Sequence, residues 1–296
     1  MALLSRISLL QKFAILALIG ALVSALPTFL YVRDALRAMA HARLEASGAA
    51  PLTALSLVVQ RMQVHRGLSS GMLGGDEALA ARRPAARDLV NQAVEAASAR
   101  LAAAQVPADQ LAAWQQARQT WQALEASVDQ RQVQQAQSTA QHTALIASVM
   151  RISEELLNAY GLQLEEAEHA YALIQAALVH TPVLGEKLGI LRAQGSGFLA
   201  RRELPPVNKG LVMALQQRAQ ELQGDAFRQF ERAMQRDAGY RAALGPSAEA
   251  AHALVTQALA LATKEVTEAA TLQLAPQEYF DTFTRTIDAL YALNAK

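Results

Sequence analysis

The 296-residue chain has no cysteine, which excludes disulfide frameworks, cysteine-based zinc sites, iron–sulfur clusters and a thiol nucleophile, and leaves oxidising and reducing compartments both open. It also lacks an excess of one charge. Lys plus Arg is 27 against Asp plus Glu at 26, and a net +1 gives no broad positive field to hold a polyanion by counterion release. That balance argues against a nucleic-acid binder. Aromatics make up 5% of the residues while apolar residues make up 52%, so a core here is built mainly from aliphatics. With 15 Gly and 9 Pro there are few breaks, and a vocabulary dominated by Ala, Leu, Gln and Glu is that of long helices. No β-rich segment can be read anywhere. The length corresponds to two or at most three domains.

The first feature present is an uncharged run from Phe13 to Val32, which as a helix extends about 30 Å, one hydrocarbon thickness. A cleavable signal peptide is the competing reading, because Val23 and Ala25 place small residues ahead of Leu26 and Pro27. The run exceeds the usual apolar core of a signal peptide, about 7 to 15 residues, so a retained transmembrane helix kinked at Pro27 is the stronger expectation. Basic residues flank both ends, Arg6 and Lys12 before and Arg33, Arg37 and Arg43 after, so the charge rule does not set the orientation.

After this segment the pattern is helix after helix, punctuated at Gly48 and Pro51, Gly74 to Asp76, Pro84, Pro107, Gly161, Pro182, Pro205 and Pro206, and Gly245 and Pro246. About eight helices follow from these breaks. Asp109 to Asp129 carries Leu111, Trp114, Trp121, Leu124 and Val128 near one face, and Thr143 to Leu157 carries Leu145, Val149, Ile152 and Leu156. A further helix is predicted from Ser247 or Ala248 through Thr271. Pro276 then suits the first turn of a last helix bearing Tyr279, Phe280, Phe283, Ile287, Leu290 and Leu293. Short connections imply antiparallel neighbours. The expected fold is all-α: an N-terminal segment over 1–12, a transmembrane helix over 13–32, and two four-helix bundles over 33–160 and 161–296.

The most specific signal is internal. Arg66-Gly-Leu-Ser-Ser-Gly-Met-Leu73 recurs 126 residues later as Arg192-Ala-Gln-Gly-Ser-Gly-Phe-Leu199, sharing Arg, three residues, Ser-Gly, a large apolar residue and Leu. At 100° per residue Gln63, Arg66 and Ser70 fall within about 60° of one another, as do Gly185, Gly189, Arg192 and Ser196. Glycine inside a helix costs about 1 kcal/mol relative to alanine, so such a row implies close approach by another helix or a ligand. Neither arginine has a carboxylate three or four positions away, whereas Arg151 has Glu154 and Glu155. A buried guanidinium needs a partner, and its planar fork suits a planar oxyanion or carboxylate, with serine hydroxyls adding orienting bonds. The other reading is a pairing with Asp or Glu from a neighbouring helix, or a charge left in water at a bundle rim. Arg118, which also lacks an intrahelical carboxylate, shows that this criterion alone does not single out a site.

Three other patterns point to chemistry less well. Gly67-Leu68-Ser69-Ser70-Gly71 satisfies the G-x-S-x-G nucleophile elbow, but that elbow needs a preceding strand and Leu52 to Gln63 reads as helix, so no enzyme is expected. The six histidines form no metal-ligand spacing, and His169 beside Glu165 and Glu166 reads as a solvated face. Tyr171 could line a pocket in the second half, though an aromatic at helical spacing is more often core. No cofactor or metal is expected.

Gln60 to Leu73, QRMQVHRGLSSGML, resembles the nitrate- and nitrite-sensing (NIT) type of helical sensor domain found in bacterial transmembrane receptors such as chemoreceptors. Leu188 to Ala200 and Tyr279 to Leu293 add to the likeness. The family often has Glu before its arginine, where this chain has His65. The resemblance implies two four-helix bundles, an anion site around arginines, a homodimeric receptor at the inner membrane with its helices in the periplasm, and a cytoplasmic output. An output domain is missing from this chain, so a longer receptor or a partner is expected to carry it. Candidate ligand-binding residues are Arg66, Arg192, Gln63, Ser69, Ser70, Ser196 and Tyr171, for a small anion such as nitrate, nitrite or a carboxylate. The rival expectation is a membrane-anchored helical interaction module in which the repeated frame merely allows close packing.

Overall fold

A computed structural model describes residues 8–165 and 167–296. The first seven positions of the expected N-terminal segment, and Glu166 beside His169, lie outside these residues. Every described residue is in helix or connection, and no strand occurs among them. The elements are α1 (Leu9–Leu73), α2 (Glu77–Ala103), α3 (Ala108–Asp129), α4 (Gln135–Ala159), α5 (Glu168–Ile174), α6 (Thr181–Arg201), α7 (Pro206–Arg236), α8 (Ala238–Ala262) and α9 (Pro276–Asn294). A 3-10 turn (Leu162–Leu164) precedes α5, and π-helical turns at Gln175–His180 and Thr263–Thr267 follow α5 and α8.

The chain divides into two compact units, residues 1–46 and Ser47–Lys296. In the first, residues 13–32 are exposed throughout, and α1 holds a stretch apolar and long enough to cross a membrane.

In the second unit the prolines fall differently from the sequence reading. Pro51, Pro84 and Pro246 lie inside α1, α2 and α8 instead of ending them. Each removes one backbone bond, a local loss that a packed helix tolerates. Gly48 is likewise no break: a Cβ there would sit 2.7 Å from the Tyr160 ring, so its role is to let α4's end pack against α1. Helix α8 therefore starts well before the predicted Ser247 or Ala248, at Ala238, where Asp237 caps it by accepting from the Tyr240 amide at 3.0 Å. Pro206 and Pro276 do open α7 and α9.

Helices α6, α7, α8 and α9 pack in succession, α9 returning to α6, around Leu184, Leu188, Phe230, Val255, Phe283 and Ile287. Among α1 to α4, α3 packs on α2 and α4, and the buried face includes Trp114, Trp121, Leu145, Val149 and Ile152. Gly75, at φ 99°, makes the reversal from α1 to α2. Leu68, Leu79, Ala86 and Phe280 form a small cluster joining α1, α2 and α9.

Candidate anion site between two arginine frames

The two repeated frames, one near the end of α1 and one on α6, face each other. Ser70 Oγ donates to the Ala193 carbonyl at 2.8 Å, and Gln135 Nε2 of α4 donates to the carbonyl and hydroxyl oxygens of Ser70 at 3.0 and 3.1 Å. A glycine on each helix clears space for the other's arginine. A Cβ on Gly189 would stand 2.7 Å from Arg66 Nη2, and one on Gly67 would stand 3.2 Å from Arg192 Nε. Both guanidiniums are thus inside, each at 0% exposure.

Their partners differ. Arg66 meets Glu186 of α6 end-on, Nη1 to Oε1 at 2.6 Å and Nη2 to Oε2 at 3.1 Å, and Nη1 also donates to Thr143 Oγ1 of α4 at 2.9 Å. Gln63 Nε2 donates to the same carboxylate at 3.0 Å. Arg192 instead donates through Nη1 to Thr284 Oγ1 of α9 at 2.8 Å and lies 4.9 Å from the centre of the Phe280 ring. Its Nε and Nη2 have no acceptor, nor has the buried Ser196 hydroxyl a partner. Nε–H and Nη2–H share one edge of the guanidinium, the edge that takes two oxygens of a planar anion side-on.

Of the two buried cations only Arg66 meets a buried carboxylate, Glu186, while Asp288 is exposed and accepts from Gln60 at 2.7 Å. Burial, and then the charge of Arg66, push the Arg192 guanidinium down to about 9, against the opposing fields of Asp288, Glu186 and Tyr291. Burial also raises the Tyr291 phenol. Tyr291 and Glu186 line a largely apolar cavity of about 360 Å³ with Leu52, Val59, Met150 and Val183, so Glu186 stands between that space and Arg66.

Of the sequence-derived candidates, Arg66, Arg192, Gln63, Ser70 and Ser196 all converge on this interface. Ser69 is buried but turns toward His65 Nδ1, 3.5 Å away. Tyr171 is exposed on α5. Arg118 takes the pairing that the other reading described, with Glu95 of α2 at 2.9 Å. Sequence reasoning missed Glu186, Thr143, Thr284 and Phe280. One signal for Glu186 existed: it stands six residues before Arg192, where the first frame has Gln60 six before Arg66. The frame thus repeats with one carboxylate, so one arginine is left without.

Residues 57–296 match the family described as nitrate and nitrite sensing (NIT). The chain belongs to the NIT family. Both arginine frames, Glu186 and the two threonines fall inside the matched range. A solved structure of the NasR transcription antiterminator is similar in fold, with a TM-score of 0.61 over 92% of this chain and 71% of that one at 18% identity. No curated protein matches the chain.

Proposed function

We propose that this NIT chain is the extracytoplasmic sensor region of a bacterial signal-transduction receptor, chemoreceptor-like, which holds a small planar anion such as nitrate or nitrite on the side-on edge of Arg192. Arg66 serves as the fixed arm, its charge already met by Glu186. Ser196 and Gln63, whose Oε1 is also unpartnered, line the same interface. Supporting this reading above all is Arg192 itself, fully buried with two donors free: such a charge carries a desolvation cost of several kcal/mol that a bound oxyanion offsets. Family membership supplies the ligand class. The apolar part of α1 anchors the protein in the inner membrane with the remaining helices in the periplasm as two four-helix bundles meeting near residue 160, and the receptor acts as a homodimer with an output domain beyond this chain. A ligand shifts such a receptor only through its differential affinity for two states, and a contact between α1 and α6 couples binding to the helix that enters the membrane.

The deciding experiment is a thermal and chemical denaturation series with nitrate, nitrite and small carboxylates. At about 100 times its dissociation constant a specific anion stabilises the fold by about 2.7 kcal/mol, and Arg192→Met is expected to abolish that response. If no anion moves the midpoint, the sensor reading is abandoned for that of a packing module.

A further inference from the structure

Adjoining the first arginine frame on α1 lies a second buried polar chain, built from Arg83, His65, His142 and Ser138. Arg83 of α2 ion-pairs with Asp129 and lies 2.9 Å through Nη1 from His65 Nε2; His65 Nδ1 is 2.9 Å from His142 Nε2; His142 Nδ1 is 2.8 Å from the Ser138 carbonyl. The chemistry at both ends fixes one direction. Arginine only donates, so His65 Nε2 accepts and its proton sits on Nδ1; a carbonyl only accepts, so His142 carries its proton on Nδ1 and accepts at Nε2. Both rings are therefore neutral, and each is at most 1% exposed. Adding a proton to either puts two N–H groups face to face or opposes His65 to the Arg83 donor.

Acid has few compensating charges to draw on. Facing the two rings are Arg66 from α1, Arg83 and Arg87 from α2, Glu125 and Asp129 from α3, with Glu186 from α6 beyond Arg66. The basic groups outnumber the acids nearest the rings, and Asp129 is already engaged by both Arg83 and Arg87. Burial chiefly holds His65 well below its usual range and His142 down at about 4. The chain is also continuous with the anion site: His65 precedes Arg66 on α1 and His142 precedes Thr143 on α4, so the same α1–α4 contact that joins the rings joins Arg66 to Thr143.

We propose that the Arg83–His65–His142–Ser138 chain is an acid-released latch between α2, α1 and α4, and that its release loosens Arg66 and weakens the anion site. The gating half rests on the anion reading above; the latch itself does not.

The sign follows from linkage. The unfolded chain takes up protons near pH 6.5 while the folded rings resist, so stability is complete above that pH and is lost as pH falls from about 6.5 toward about 4. Each histidine multiplies the unfolding constant by up to about tenfold per pH unit in that window.

The test uses the full chain in detergent micelles with Trp114→Phe, so that Trp121, which meets the His65 ring edge-on at 4.9 Å, reports alone. We expect native Trp121 emission to change with a midpoint well below pH 6.5. His142→Gln is expected to make the pH dependence of unfolding shallower by up to about tenfold per unit, while His252→Gln, at an exposed site, leaves it unaltered. Nitrate, which does not itself titrate here, should bind about tenfold more weakly at pH 5 than at pH 7.5, and His142→Gln should flatten that difference. An emission midpoint near 6.5, or equal slopes in the parent and His142→Gln, overturns the latch; if His142→Gln does not fold, the emission midpoint decides. Nitrate binding that ignores pH overturns the gating alone. Absence of binding by nitrate, nitrite and small carboxylates alike at pH 8 overturns the anion reading and the gating with it, leaving the latch to be judged by the unfolding slopes.

Discussion

Nη2 of Arg66 lies 2.7 Å from the point where a Cβ on Gly189 would stand. The space that lets Arg66 reach Glu186 is thus one missing methyl group on α6. Gly189→Ala is expected to force the guanidinium off its carboxylate and to destabilise by about 1–3 kcal/mol, the usual range for overpacking, despite alanine's better helix propensity. Gly210 of α7 provides the contrast, because a Cβ there meets nothing within 4 Å. Gly210→Ala should stabilise by up to about 1 kcal/mol. Urea midpoints of the two variants, moving in opposite directions, check the argument.

The same substitution at equivalent frame positions should have opposite consequences. Arg66→Met leaves Glu186 buried without its partner, a loss expected at about 3–5 kcal/mol. Arg192→Met removes a buried charge that no carboxylate meets, giving up the Thr284 bond and the Phe280 contact but also the desolvation cost. In anion-free buffer its stability should fall within about 1 kcal/mol of the parent or above it. Denaturation curves for both variants without anion distinguish a structural arginine from one awaiting a ligand.

Much of this arrangement was legible because helices obey local rules. Apolar spacing over Asp109 to Asp129 marked α3 to within a residue, and the row Gly185, Gly189, Arg192, Ser196 announced a close approach before any partner was known. Proline misled, since Pro51, Pro84 and Pro246 read as stops while tertiary packing carries each helix past the lost bond. The threonines under the arginines left no trace in sequence, because Thr143 and Thr284 are placed by the pairing of helices and not by spacing along one. His65 and His142 escaped for the same reason: metal-ligand spacing is a one-helix test, and these rings meet across two.

Asp76 joins two parts of the fold through separate oxygens. Oδ1 caps α2 by accepting from the Leu79 amide at 2.8 Å, and Oδ2 accepts from Gln277 at the start of α9. Asp237 performs the first task alone, at α8. Asp237→Ala should cost about 1 kcal/mol, as for other caps, and Asp76→Ala that amount plus the lost tie to α9, about 2 kcal/mol in all. Thermal midpoints of the two variants test the difference.

The apolar stretch of α1 makes the proposed membrane anchor a quantitative matter. Residues 13–32 are exposed throughout, and twenty uncharged residues bury nothing within their own unit, so under the proposed anchoring their transfer from water is what drives partition into a bilayer. A lysine at the middle of such a helix opposes insertion by about 2.5–3.5 kcal/mol, so Leu22→Lys should shift the protein measurably from the membrane to the soluble fraction, whereas a lysine at Leu9, near the end, should not. Fractionation of cells expressing each variant reads the shift. N-terminal sequencing of the mature chain separates the two sources of such a signal: an intact α1 supports the anchor, and a start at Leu26, after Ala25, would show that the same apolar run had served as a leader and been removed.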